Sequence, residues 1–190
     1  MKRCLTLSLL TLFVFIITGA TGLAQYKMGA HYIGANATVV TEPVGWGINY
    51  EFGFDERIGL GLVIRYWAPE EGKHYESTGT GTLQRSTIMT QFQAAYHFLP
   101  QARFDPYGGL RLGYSIYDEN WQTSGIVSRT KPAARAESGI TMSIMGGFRY
   151  FVSPKISIDG TLEHFVVNDD NYFENQSASA LMFSVNFTLD

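Results

Sequence analysis

Cysteine is almost absent from this chain. The single one, Cys4, lies ahead of the apolar core of an N-terminal leader, where a lipid-modified cysteine would not stand. It is expected to leave with that leader, which excludes disulfide staples and thiol catalysis in the rest of the chain. Long hydrophobic runs are missing too. After residue 24 no apolar stretch approaches the length of a transmembrane helix. There is no basic run, so nothing points to nucleic acid. The four histidines, His31, His74, His97 and His164, show no metal-ligand spacing, and no cofactor motif is present.

The leader occupies residues 1–24. Met1-Lys2-Arg3 is a short basic region, Leu5 to Thr18 is nearly all apolar, and Gly22-Leu23-Ala24 offers small residues to a signal peptidase. This is the pattern of a secretory signal peptide cut after Ala24; the rival reading, a membrane anchor, fits a longer apolar run with no cleavage site. Loss of Lys2 and Arg3 moves the formal net charge from −3 to −5, and Gln25 to Asp190 is enough for one domain, 25–190.

What the exported part does have is alternation. Side chains of a strand point to opposite faces at each step, so a period of two means one apolar and one polar face. Ile140, Met142, Ile144, Phe148 and Tyr150 alternate with Thr141, Ser143, Met145, Gly147 and Arg149. After a turn at Val152 to Lys155, Ile156, Ile158 and Leu162 alternate with Ser157, Asp159, Thr161 and Glu163. Each run is about as long as a tilted strand needs to cross a bilayer.

Six further strands complete the count, and seven segments connect the eight. Tyr26 to Asn36 is a strand of ambiguous phase. Val44 to Phe54 and Ile58 to Trp67 are clear strands around a turn at Asp55 to Arg57. Leu83 to Phe98, Pro106 to Tyr117 and a last strand through Leu181 to Leu189 follow. The expected loops are Ala37 to Pro43, Ala68 to Thr82, Asp118 to Ser138 and Val167 to Ser177; the expected short connections are Asp55 to Arg57, Leu99 to Asp105 and Val152 to Lys155. Eight antiparallel strands with alternating short and long connections describe an up-and-down barrel whose short turns are periplasmic and whose long loops are external.

The two faces decide between lipid outside and lipid-free solvent outside. A soluble barrel also has one apolar face, turned inward. Here the polar face carries Glu51, Arg65, Arg111, Arg149, Asp159 and Glu163, three of each sign, together with many glycines. An eight-stranded lumen is just wide enough for side chains to fill. The expectation is therefore a lumen plugged by internal ion pairs, since a buried charge needs a partner. Aromatic residues fall near strand ends: Trp46, Tyr66, Trp67 and Tyr114 outside, and Phe54, Tyr96, Phe98, Phe148, Tyr150 and Phe187 inside, as two membrane interfaces require.

The Pro-Tyr-Gly-Gly-Leu-Arg-Leu-Gly-Tyr segment (Pro106 to Tyr114), the Gly-Gly-Phe-Arg-Tyr-Phe-Val-Ser-Pro-Lys segment (Gly146 to Lys155), the leader and the eight alternating strands together resemble the small bacterial outer-membrane β-barrel domain family, the OmpA/OmpX-like barrels. The resemblance implies an outer-membrane location of the Gram-negative type after export through the periplasm. It implies contact with outer-membrane lipid and lipopolysaccharide, escort by periplasmic chaperones and the barrel-assembly machinery, and a monomer. Members often end in an aromatic residue, whereas this chain ends Phe187-Thr188-Leu189-Asp190. No peptidoglycan-binding domain follows in the sequence, so an anchoring role of that kind is not expected.

The expected function is a structural or surface-interaction barrel without catalysis. The alternatives are a lipid A-modifying outer-membrane enzyme and a narrow porin-like channel. Catalysis needs a base within reach of a nucleophile. Glu163 and His164 are adjacent and so point to opposite faces; His164 is placed on the lipid side, and His97 and His31 are candidates for the lumen with no acid fixed beside them. In the loops, Trp121, Arg129, Lys131 and Arg135 are candidate contacts for lipopolysaccharide or a host surface, and Asp169-Asp170 a weak candidate for a cation. The folded protein in membrane fractions is expected to migrate differently from the boiled protein on a denaturing gel; identical mobility together with a soluble-fraction location would sink the barrel reading.

Overall fold

The computed structural model describes residues 25–39, 44–76, 79–125, 135–168 and 179–190. The leader and its cleavage site, Arg129, Lys131 and the Asp169-Asp170 pair lie outside the described residues. Eight strands run in chain order: β1 (His31–Val39), β2 (Val44–Gly53), β3 (Ile58–Glu76), β4 (Gly79–His97), β5 (Phe104–Gly125), β6 (Arg135–Ser153), β7 (Ile156–Asn168) and β8 (Ser179–Leu189). Each pairs antiparallel with the next, and β1 pairs with β8, so the sheet closes into a barrel. No helix among the described residues is long and apolar enough to cross a membrane, a fact silent about strands.

The apolar face of each strand is the outer one. Trp46, Phe92, Leu112, Leu162 and Phe187 are all exposed on the barrel wall, while Arg65, Gln91, Arg111, Arg149 and Glu163 are buried inside. The phase left open for β1 is settled by its pairing: Tyr32, Gly34, Asn36 and Thr38 point inward, and Ile33, Ala35 and Val39 outward. The strand itself begins later than the sequence suggests. Tyr26 to Ala30 leaves the β geometry because Gly29 takes φ +82°, a left-handed turn that glycine adopts without strain. The turn folds the segment back on the barrel end: Gly29 N–H donates to Gly53 O (2.7 Å), Gly53 N–H to Ala30 O (2.9 Å) and Tyr26 N–H to Pro100 O (3.0 Å).

Two expected loops are strand for much of their length. Residues 68–76 and 79–85 continue the β3–β4 ladder from Glu70↔Arg85 to Glu76↔Gly79, past an irregularity between Trp67 and Glu70. Pro69 sits in that irregularity and lacks the N–H a ladder needs. In the same way β5 continues to Gly125, paired with β4 through Gly79↔Gly125. The pairing is made by the backbone, and the sequence of these stretches carries no apolar alternation that would announce a strand. Beyond Trp67, β3 rises about 30 Å along the strand direction. There, among the described residues, it has no β2 partner, because that pairing ends at Gly45↔Trp67. The β5–β6 pairing likewise ends at Glu119↔Arg135. Among the described residues, the long-loop end thus carries an extended sheet whose β3 and β5 edges have no further strand paired to them.

The aromatic belts need one correction. Trp46, Tyr66 and Tyr114 lie on the outer wall, but Trp67 is buried in the lumen. Its neighbours Arg65 and Val63 share that inward phase, and the indole closes over Gly45, where a Cβ would stand 2.8 Å from the indole nitrogen. His31 also departs from its expected place: it faces outward, with Nδ1 2.8 Å from the Tyr50 hydroxyl.

Candidate functional site: the filled lumen

The six charged residues of the polar face all point into the barrel, and the structure sorts them into two layers. The layer nearer the long-loop end is built around Glu163 of β7. Arg65 of β3 donates from Nη1 to Glu163 Oε2 (2.7 Å), and Arg111 of β5 donates from Nη1 to the same oxygen (2.6 Å). Ser143 of β6 donates to Glu163 Oε1 (2.6 Å). Glutamines complete the layer: Gln91 accepts from Arg65, and Gln93 Oε1 accepts from Arg111 Nε (3.0 Å) and Nη2 (2.9 Å).

The second layer is nearer the short turns and centres on Arg149 of β6. Its Nη2 donates to Asp159 Oδ2 (2.8 Å) and its Nη1 to Glu51 Oε1 (2.9 Å). Gln93 Nε2 donates to Glu51 Oε2 (2.9 Å) and so links the two layers. Gly59 makes room for this arrangement, since a Cβ there would stand 2.7 Å from the Glu51 carboxyl carbon.

Two further residues join the second layer, His97 as the lumen candidate its phase suggested and Asp105 unforeseen. His97, the last residue of β4, has Nδ1 2.6 Å from Asp105 Oδ2 and Nε2 3.3 Å from Glu51 Oε1. The phase it shares with Gln91 and Gln93 made His97 a lumen candidate; the acids beside it, Asp105 and Glu51, come from the fold. Asp105 was assigned to a connection, but β5 starts at Phe104 and turns the carboxylate inward. An asparagine ladder covers the β1, β2 and β8 side: Asn36 Nδ2 donates to Asn49 Oδ1 (3.4 Å), and Asn49 Nδ2 to Asn186 Oδ1 (2.6 Å).

Apolar and aromatic groups close the tube at both ends. Towards the long loops, Trp67, Met89, Phe165 and Ala180 form one buried cluster. The Arg65 guanidinium lies 5.7 Å from the Trp67 ring and 6.0 Å from that of Phe165. Towards the short turns, Tyr26, Ala30, Tyr32 and Phe151 form another. Tyr26 stacks on His97 with centroids 3.8 Å apart, and Arg149 lies 4.7 Å from the Tyr32 ring. The leading segment therefore stoppers the barrel with Tyr26.

The arrangement is suited to holding charge rather than to turning over a substrate. Every guanidinium of the lumen is bonded to a carboxylate, and no hydroxyl of the lumen is bonded to His97 among the described residues. Among those residues no group of three or more His, Cys, Asp or Glu side chains is arranged to hold a metal ion. His164 lies on the outer wall with Nδ1 3.1 Å from Ser179 Oγ. His74, Trp121 and Arg135 are backbone positions in the protruding strands.

The family model for the outer membrane protein β-barrel domain matches residues 7–187. The chain belongs to that family. No curated protein matches it in sequence. Solved structures with the same fold include outer membrane protein OprG of Pseudomonas aeruginosa, at 13% identity and TM-score 0.62, over 88% of this chain and 99% of that one. The N-terminal β-barrel domain of Pseudomonas aeruginosa OprF gives 13% identity and TM-score 0.55, over 85% and 98%. Neisserial surface protein A gives 14% and 0.53, again over 85% and 98%. At this identity the likeness is one of fold. Family membership implies an outer-membrane location of the Gram-negative type.

Removing one partner from a buried ion pair strands the other charge, at a cost of about 3–5 kcal/mol. Glu163→Gln leaves Arg65 and Arg111 facing each other without their shared carboxylate, and a loss of that size is expected. Asn186→Ala, in the neutral ladder, is expected to cost about 1 kcal/mol. Urea unfolding in lipid vesicles, followed by tryptophan fluorescence, measures both.

Proposed function

We propose that the protein is a surface-interaction and structural barrel of the outer membrane, exported with residues 1–24 as a leader cut after Ala24. The observation that carries this reading is the filled lumen. Two layers of paired charge lie between apolar stoppers, and a tube so filled supplies no path for a solute. Activity is then left to the outside. The protruding β3–β5 sheet supports a role in contact with other molecules, because open strand edges present unpaired backbone donors and acceptors. Lipopolysaccharide is the first surface such a sheet meets, and the residues assigned to that contact are Trp121, Arg129, Lys131 and Arg135. Passage to the membrane by way of periplasmic chaperones and the barrel-assembly machinery, and function as a monomer, belong to the same reading. In planar bilayers the protein is expected to give no steady channels; a reproducible conductance would replace this reading with that of a narrow channel.

One observation favours a second reading, a lipid A-modifying enzyme. His164 and Ser179 meet on the outer wall near the long-loop end, where lipid A lies. Neither is bonded to a carboxylate among the described residues, and a histidine base of this kind is ordinarily oriented by a third group. Lipid A from cells with and without the protein is expected to have the same mass spectrum; a mass difference abolished by Ser179→Ala would establish the enzyme.

A further inference from the structure

Among the described residues, four cations stand at the short-turn rim: Lys27, Arg57, Arg103 and Lys155. Two of them have acids at hand. Lys27 Nζ lies 3.3 Å from Asp190 Oδ1, and Arg57 shares its turn with Asp55 and Glu56. Arg103 and Lys155 have no carboxylate bonded to them among the described residues. The acid nearest Arg103 in sequence, Asp105, is turned into the lumen against His97.

These two cations are on neighbouring turns, and Arg103 is held towards the turn that carries Lys155. Phe151 N–H donates to Arg103 O (2.9 Å), and Arg103 Nη2 donates to Val152 O (3.4 Å), which carries the guanidinium across the end of β6 towards the Pro154-Lys155 turn. The guanidinium lies 5.9 Å from the Tyr150 ring centroid. Tyr150 has the outward phase of Phe148, so this cation stands outside the barrel in the interfacial band. A guanidinium there meets phosphate oxygens with its planar fork of donors.

The wall above the pair is indented. Gly108 and Gly146 are directly paired and both have the outward phase. A Cβ on Gly146 would meet nothing nearer than 4.0 Å, and one on Gly108 nothing nearer than 3.6 Å. Phe98 and the stacked rings of Phe104 and Phe148, 5.5 Å apart, border this depression on the rim side.

We infer that Arg103 and Lys155 bind the phosphate of an anionic phospholipid in the periplasmic leaflet, with an acyl chain laid against the Gly108–Gly146 depression. Charge complementarity selects the occupant: two unpaired cations in an interfacial band favour a headgroup with net negative charge over a zwitterionic one. The proposal rests on the barrel being inserted with this end towards the periplasm, and heat-modifiable mobility reports insertion separately from lipid binding.

The test uses the barrel in mixed vesicles of phosphatidylglycerol and phosphatidylcholine with the same acyl chains, followed by native mass spectrometry of the lipid retained. Phosphatidylglycerol is expected to be retained over phosphatidylcholine about tenfold at equal mole fraction. The double variant R103Q/K155Q is expected to lose that preference while keeping heat-modifiable mobility, and R57Q to keep it. Lys155→Gln alone alters a side chain exposed on the turn, so the test stands even where the double variant fails to insert; it is expected to lower the preference severalfold. Equal retention of the two lipids by the native protein overturns the proposal. So does a preference that survives in the double variant, is unchanged in Lys155→Gln, or falls equally in R57Q.

Discussion

A polypeptide that crosses hydrocarbon must satisfy every backbone N–H and C=O within itself. In this protein that constraint is met by closure. β1 pairs with β2 on one side and β8 on the other, so no strand within the barrel is left with an edge towards lipid. Closure also fixes what each side chain is for. With period-two alternation, one face of every strand goes to lipid and the other to a tube too narrow for bulk water. Beyond the closed barrel, the β3–β5 extension has edges with no further strand paired to them among the described residues.

The tube then creates its own requirement. A guanidinium removed from water needs a carboxylate and further hydrogen bonds to be tolerated. The two layers answer this with partners both distant and near: Arg65 with Glu163 and Arg149 with Glu51, each 98 residues apart, and Arg149 with Asp159 of the adjoining strand. Trp67 and Phe165 at one end and Tyr26 and Phe151 at the other keep these pairs buried. The filling is thus a stack of stopper, charge layer, charge layer and stopper, and a barrel so filled presents its chemistry at its two rims and its outer wall. At the long-loop end that surface is a sheet with open edges. At the short-turn end it is a sector with two cations and an indented apolar wall.

Much of this was legible in the residues because a strand's alternation is a local property. The phases of β2 to β8 and the inward set Glu51, Arg65, Arg111, Arg149, Asp159 and Glu163 follow from it directly. What was missed fails for identifiable reasons. Trp67 looked like a belt residue because a large aromatic at a strand end fits an interface, yet its parity with Arg65 places it inside. The left-handed turn at Gly29 delays β1 and blurs its phase. Asp105 is hidden by a boundary displaced by one or two residues. The extended ladders of β3, β4 and β5 carry no apolar alternation, the signal by which a strand is read from sequence.

The sequence alone determined the strand count, the faces of β2 to β8, the compartment expected from the leader and six of the charges that are buried, because each depends only on near neighbours along the chain. It did not determine which charge meets which. Register and shear around the closed sheet decided that Glu163 serves two arginines, that His97 lies between Asp105 and Glu51, that Tyr26 stoppers the barrel, and that Arg103 reaches over Tyr150 towards the turn holding Lys155. The longest of these contacts, Arg65 to Glu163 and Glu51 to Arg149, join residues 98 apart in the chain and cross the tube, so they depend on the sheet closing.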